Sequence, residues 1–236
     1  MRAVCNSELL DLWEKGSAAH PLDQGLFALG LAFPEISPDE LADWSLGRRN
    51  RGLFELYRSW FGTVLHGWTS CTSCGEKLEL EVDVRTLTAH DAPDESSAEK
   101  VVADKGSFRL PTSRDLAQVV HEESFQIAAI RLLERCRISG GDTPPWSEQM
   151  VEEVGEKMAH ADPLAETQLA LRCPTCGHEW TATLDVTRFI WAEIEAYVRR
   201  IFWEIHTFAS AYGWTEAEVL SLSGARRALY LEMVQG

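Results

Sequence analysis

Two short cysteine motifs, far apart in the chain, constrain this protein more than any other feature. They are Cys71-Thr72-Ser73-Cys74-Gly75 and Cys173-Pro174-Thr175-Cys176-Gly177. Two cysteines separated by two residues can place both sulfurs about 2.3 Å from one ion, and glycine after the second permits the tight turn. The likeness runs past the cysteines. Leu78 matches Trp180, Val82 matches Leu184, Asp83-Val84 matches Asp185-Val186, and Leu87 matches Phe189. Each copy reads as a knuckle, a glycine and a strand ending in Asp-Val. Half-sites of this kind pair, so the expectation is one zinc ion held by Cys71, Cys74, Cys173 and Cys176. Four thiolates leave no open position, which makes such a site structural rather than catalytic. A redox pair would need a thioredoxin-like parallel sheet around one motif, and that pattern is missing. His178 could replace a cysteine, but four sulfurs already complete the set.

The 236 residues are 45% hydrophobic and 25% charged, enough for a substantial core in one large or two small domains. The six cysteines do not read as a disulfide framework in a chain of this size. Cys5 reads as an exposed thiol and Cys136 as a buried helix residue. The first residues meet an acid before any long apolar stretch, unlike a secretory signal, and no run is long enough for a membrane span. The net charge of −15 opposes a phosphate backbone. Arg48, Arg49 and Arg51, or Arg226 and Arg227, could form local basic patches, but solvated arginines near helix ends are the simpler reading.

No firm element is drawn before residue 37. Ser37-Pro38-Asp39-Glu40 then starts a helix, with Ser at the cap, Pro at the first position and Glu three residues later. Leu53, Leu56, Tyr57, Trp60, Phe61 and Val64 share a helical face, with Gly62 weakening its end. Leu78, Leu80, Val82 and Val84 alternate with Glu79, Glu81 and Asp83, a strand over 77–87 with one acidic face. Residues 90–107 read as an acidic loop. Thr112-Ser113-Arg114-Asp115 caps a helix that could continue through Phe125 and Ile127 to Leu133. Residues 140–145 break it, and another helix runs over 147–160. Trp180 to Val186 reads as a strand. Thr187 to Tyr212 forms the longest helix, with an apolar seam from Ile190 to Tyr212 and a span of roughly 39 Å. Gly213 ends it, Thr215 and Glu218 form a capping box, and Ser223-Gly224 precedes a final helix over 225–233.

Catalytic motifs fail one by one. His121-Glu122-Glu123-Ser124-Phe125 has Phe where a zinc-protease helix needs its second His. Glu204 and His206 lie two apart, on different helix faces. No phosphate loop, dinucleotide fingerprint or nucleophile elbow is present. An enzyme is not expected. Aromatic residues crowd the C-terminal region instead. Trp191, Phe202 and Trp203 fall off the main seam, which suggests a partner-binding surface beside the simpler reading of a helix buried within its own domain.

The stretch Ala209-Ser210-Ala211-Tyr212-Gly213-Trp214-Thr215-Glu216-Ala217-Glu218-Val219-Leu220-Ser221-Leu222, with Arg226-Arg227 and Tyr230-Leu231, resembles the T-even-phage-type baseplate hub assembly chaperone family. The resemblance is sharpest over residues 185–234. It extends more loosely to Leu46-Gly47-Arg48-Arg49, to 108–116 and to both knuckles, which look like zinc-containing versions from phage tail-like contractile injection systems. It implies a non-enzymatic assembly factor, cytoplasmic in a bacterium or associated with the particle, whose partners are baseplate or hub proteins. From the charge and the lack of a long apolar run, neither a nucleic-acid partner nor a membrane span is expected. Trp191, Trp203, Tyr212, Trp214, Arg226 and Arg227 are the candidate partner-binding positions. The rival reading is a zinc-ribbon nucleic-acid-binding or transcription-associated protein, against which the charge and the acidic strand weigh.

The expected fold is therefore mainly α with a small β zinc ribbon. An N-terminal helical region (1–70) precedes the first knuckle and strand (71–89) and an acidic loop (90–107). An inserted helical module (108–172), the second knuckle and strand (173–186), and a long C-terminal helix with a terminal helical hairpin (187–236) follow.

Overall fold

The computed structural model describes residues 4–89, 100–103, 106–139 and 146–235, a mainly helical chain with three small antiparallel sheets. Four helices open it: α1 (Asn6–Gly16), α2 (Pro21–Ala32), α3 (Pro38–Ala42) and α4 (Leu46–Trp60). A first hairpin, β1 (Val64–Ser70) and β2 (Lys77–Asp83), leads into α5 (Val84–Thr88). Then come β3 (Val101–Ala103), β4 (Gly106–Phe108), α6 (Ser113–Val119), α7 (Phe125–Cys136), β5 (Arg137–Ser139) and α8 (Glu148–Ala161). A second hairpin, β6 (Thr167–Arg172) and β7 (Glu179–Leu184), feeds α9 (Val186–Tyr212), α10 (Glu216–Ser221) and α11 (Gly224–Gln235).

The chain buries two clusters. In the larger, Leu29, Leu53, Phe54 and Tyr57 from α2 and α4 close on Ile190, Ile194, Val198 and Ile201 of α9. Each such side chain contributes ~1.5–3 kcal/mol when fully buried, so the seam of α9 is a main organiser of the fold. The smaller cluster belongs to the segment between the hairpins and centres on Phe108, Leu133, Cys136, Val154 and Met158. That segment is not purely helical, because β3, β4 and β5 form a sheet of their own.

Several boundaries differ from the sequence reading, each for an identifiable reason. Residues before 37 form α1 and α2, which pack against α9 and cover a second face of it. The strand over 77–87 stops at Asp83, whose carboxylate accepts the Arg85 N–H at 2.9 Å and turns the chain into α5. Asp185 does the same in the second copy, accepting from Thr187 and Arg188. The repeated Asp-Val is thus a helix start: a short acceptor side chain captures orphan N–H groups and ends the ladder. Residues 64–70, read in part as a helix end, are β1, and 167–172, assigned to the inserted module, are β6. Within 90–107, residues 101–103 and 106–108 pair as strands, while 90–99 and 104–105 lie outside the described residues. So do residues 140–145, where a helix break was expected. The helix that begins at 113, which could have continued to Leu133, stops at Val119, and Ser124 starts a new one by accepting the Ile127 N–H.

The two cores meet along a polar seam. Ser45 and Thr112 form an isolated antiparallel bridge, and Leu46 donates its N–H to Pro111 at 3.0 Å. Gly47 donates its N–H to the Asp162 carboxylate at 2.8 Å, and the buried Asn50 amide donates to Leu164 and Ala165 carbonyls. Burial pushes the Asp162 carboxyl above its ordinary range. A Cβ at Gly47 would stand 1.6 Å from Asp162 Oδ1. Gly47→Ala is therefore expected to cost about 1–3 kcal/mol by forcing the seam apart, read as a lower Tm. A variant that melts with the native chain would show this contact to be dispensable.

Candidate metal centre

Each knuckle sits at the tip of a hairpin, and the two tips are built alike. In the first, Cys71 N–H donates to the Glu76 carbonyl at 2.8 Å and Gly75 N–H to the Cys71 carbonyl at 2.9 Å. In the second, Cys173 N–H donates to His178 at 2.8 Å and Gly177 N–H to Cys173 at 2.9 Å. Gly75 and Gly177 adopt φ of 74° and 72°, a left-handed turn that glycine takes without steric cost. The strand before each knuckle supplies the other half of the hairpin. The sequence reading missed it because Gly67 interrupts the alternation of β1, and in β6 only Leu169 and Leu171 mark an apolar face.

The tips face each other with the symmetry of the repeat. Cys71 Sγ lies 3.7 Å from Cys176 Sγ, and Cys74 Sγ lies 3.7 Å from Cys173 Sγ. The ligating atoms of all four lie within 4.8 Å of one another. A disulfide would need about 2.05 Å, and none of these cysteines is bridged. A tetrahedron with metal–sulfur bonds of about 2.3 Å has sulfur–sulfur edges of about 3.8 Å, so the observed spacing fits an ion at the centre. The first cysteine of each pair is buried and the second exposed. Burial alone would raise the Cys71 thiol, but N–H groups of Cys74 and Ser73 outweigh it and hold the thiol down to about 6. For Cys74 the Glu76 N–H favours the thiolate, yet burial and the neighbouring sulfurs push it up to about 12. Four sulfurs crowded this closely cannot all ionise without a cation between them.

His178 is not one of the four. Its Nε2 lies 3.0 Å from Thr72 Oγ1, a bond from one knuckle to the other, and its ring stacks on Trp180. The two remaining cysteines are where the sequence placed them. Cys5 is exposed, while Cys136 is fully buried and burial pushes its thiol up to about 11.

The six candidate partner-binding positions divide. Trp191 is buried at 6% exposure, so it offers no free surface. Its indole fills a slot that exists because residue 16 is glycine, where a Cβ would come within 2.2 Å of the ring. Arg227 is buried too, donating to Glu204 Oε2 and to the Leu222 carbonyl, both at 2.8 Å. Glu204, tested in the sequence with His206 as a ligand pair, is thereby committed to an ion pair. Tyr212 and Trp214 stack into one aromatic cluster with Phe208 and Tyr230, although Tyr212 keeps 40% of its surface exposed. Trp203, 49% exposed, and Arg226 remain on the outside. The Arg48–Arg51 stretch is likewise engaged. Arg48 lies over the Trp44 ring, and the half-buried Arg49 donates to Asn50 and Ser113.

One polar cluster escaped sequence reasoning. Asp115, 1% exposed, accepts from Arg109 at 2.5 and 2.8 Å, from Arg135 at 3.1 Å, and from the N–H and hydroxyl of Thr112. Only the capping box was visible in the sequence. Its arginines come from β4–α6 and α7, and no local pattern links them.

Among the described residues, the four cysteines form the cluster of His, Cys, Asp and Glu able to hold a metal ion, and no helix is long and apolar enough to cross a membrane. Comparisons with protein-family models, with curated proteins and with solved structures find no significant match to this chain.

Proposed function

We propose that this protein is a non-enzymatic assembly factor for the baseplate or hub of a contractile, phage tail-like injection particle, with one structural zinc ion. It acts through protein contacts in a bacterial cytoplasm. The zinc half of the reading is carried by the four sulfurs at tetrahedral spacing. Thiolate-only donor sets favour zinc among the common hard and borderline cations, and all four positions are taken by protein. With no position left for water, the ion ties the two hairpins together.

The assembly half is carried by the resemblance over 185–234. Two of the loosely resembling segments are neighbours: Leu46 donates its N–H to Pro111 and Arg49 donates to Ser113. Within 185–234, the Tyr212-Gly213-Trp214 turn packs with Tyr230. Gly213 is the left-handed cap that ends α9, and Thr215 and Glu218 restart the chain as a reciprocal capping box.

The test is a pulldown of tagged full-length chain from cells co-expressing neighbouring tail genes, with mass spectrometry and zinc analysis of the same eluate. Expected are baseplate or hub proteins and about one zinc per chain. Zinc accompanied by nucleic acid or RNA polymerase alone would overturn the assembly reading and leave the metal site standing.

A further inference from the structure

A groove of about 1200 Å³ runs between α7 and α8. One wall is α7, with Phe125, Ala129 and Ile130; the other is α8, with Val151, Gly155 and Ala159. Phe125 is 86% exposed, a large apolar ring left uncovered by the described residues. Gly155 stands in the middle of α8, where a Cβ would meet nothing within 4 Å. A helix-interior glycine costs ~1 kcal/mol relative to alanine, and no close contact among the described residues calls for it. At ~1.5 Å per residue the walls are about 18–21 Å long, the length of a three- to four-turn helix.

Charge decides what fits. Glu148, Glu152, Glu156, Asp162 and Glu166 line the groove, and among the described residues no Lys, Arg or His does. Glu148, Glu152 and Glu156 repeat every fourth residue along one rim and are exposed, with no ion pair among the described residues. The chain's own segment 90–99 carries four acids and no Lys or Arg, so it matches the rim in sign and is a poor occupant. A second copy, also at −15, is disfavoured for the same reason.

We infer that this groove docks a basic amphipathic α-helix of a partner protein. Apolar side chains of that helix sit against Phe125, Ile130 and Val151. Its backbone approaches over Gly155, and Lys or Arg on one flank pair with the glutamates spaced along α8. This is helix-in-groove recognition with an electrostatic rim that sets orientation and speeds encounter. The inference deepens the assembly reading and rests on it only for the identity of the partner as a particle protein. The groove itself lies in the inserted segment, away from the aromatic C-terminal turn.

The experiment uses the full-length chain and a fluorescein-labelled 18-residue Leu/Lys amphipathic helix, read by fluorescence anisotropy. A peptide of equal composition with its periodicity scrambled is the control. The native chain is expected to bind the amphipathic peptide at least tenfold more tightly than the scrambled one. Gly155→Leu fills the groove while replacing a glycine with a better helix former, so it folds and is expected to lose at least tenfold in affinity. The triple variant E148Q/E152Q/E156Q is expected to lose a similar factor and most of the salt dependence. E79Q/E81Q, on the exposed face of β2, changes charge elsewhere and is expected to leave binding unchanged. Equal binding of the two peptides, or full affinity in Gly155→Leu, would overturn the groove. Groove-dependent peptide binding with no particle protein in the co-expression pulldown would keep the groove and sink the assembly reading instead.

Discussion

Cys173→Ser is expected to lose the bound metal and to lower Tm by on the order of 10–20 °C. The physical reason is linkage between metal binding and folding. A structural zinc contributes about 10–16 kcal/mol of apparent binding energy in small zinc domains, and removing one thiolate forfeits a large part of it. A loss on the order of 5 kcal/mol in a chain of this size corresponds to that Tm shift. Cys173 is also the more telling choice because it is 1% exposed, so solvent cannot replace its sulfur as a ligand. The loss should not stay on its own hairpin. An ion held by all four cysteines would bridge β1–β2 to β6–β7, so hydrogen exchange is expected to rise at both tips, around Cys71 and around Gly177, in the variant or after chelation. The exposed Cys5 serves as control, since serine there can still cap α1. A Tm and zinc content identical to the native chain would refute a structural metal.

Asp115→Asn is expected to destabilise the protein by about 2–3 kcal/mol and to flatten its acid denaturation. The native carboxylate is 1% exposed, and burial alone would raise its pKa. Bonds from Arg109 and Thr112 more than reverse this and bring it well below the ordinary aspartate range, to about 2. A depressed folded-state pKa stabilises above the unfolded value, and the contribution is lost as pH falls through the folded one. The window is thus from about pH 4 down to about pH 2, and the pH-dependent part is about 2 kcal/mol at most. Asparagine keeps the shape but leaves Arg109 and Arg135 facing a neutral amide. Both arginines are partly exposed, at 38% and 41%, so water softens the cost below the 3–5 kcal/mol of a fully buried broken pair. Urea titrations between pH 2 and 7 would measure it. Parallel native and variant curves across pH 2–4 would show that Asp115 does not carry the acid sensitivity.

Sequence reasoning served best where the chemistry is local. The C-x-x-C-Gly turns, the cap at Ser37 and the box at Thr215 each need only a few consecutive residues, and the structure places all of them. Periodicity also found α9, because a seam of this length is a strong signal. It failed for α2, which is apolar on nearly every side and so has no polar face to mark its period, and for β1, where Gly67 sits under Phe189 instead of presenting a side chain. The Asp-Val repeat was seen but misassigned. A strand end and a helix cap look alike until the N–H groups that the carboxylate captures are known.

What the sequence by itself determined is the composition of the metal centre: four thiols in two equivalent turns, on arms alike enough to meet. Tertiary structure decided which side chains were free to do anything else. Trp191 and Arg227 read as surface anchors from their type and position. The packing of α1 across α9 buried the first behind Gly16, and the return of α11 buried the second against Glu204. The α7–α8 groove is the converse. Phe125 and Gly155 are thirty residues apart and carry no shared pattern. They become a site only because two helices of the insertion pack side by side and leave an apolar groove, with acids along α8, that none of the described residues fills. Burial is a property of long-range contacts, and a local pattern cannot encode which neighbour will arrive.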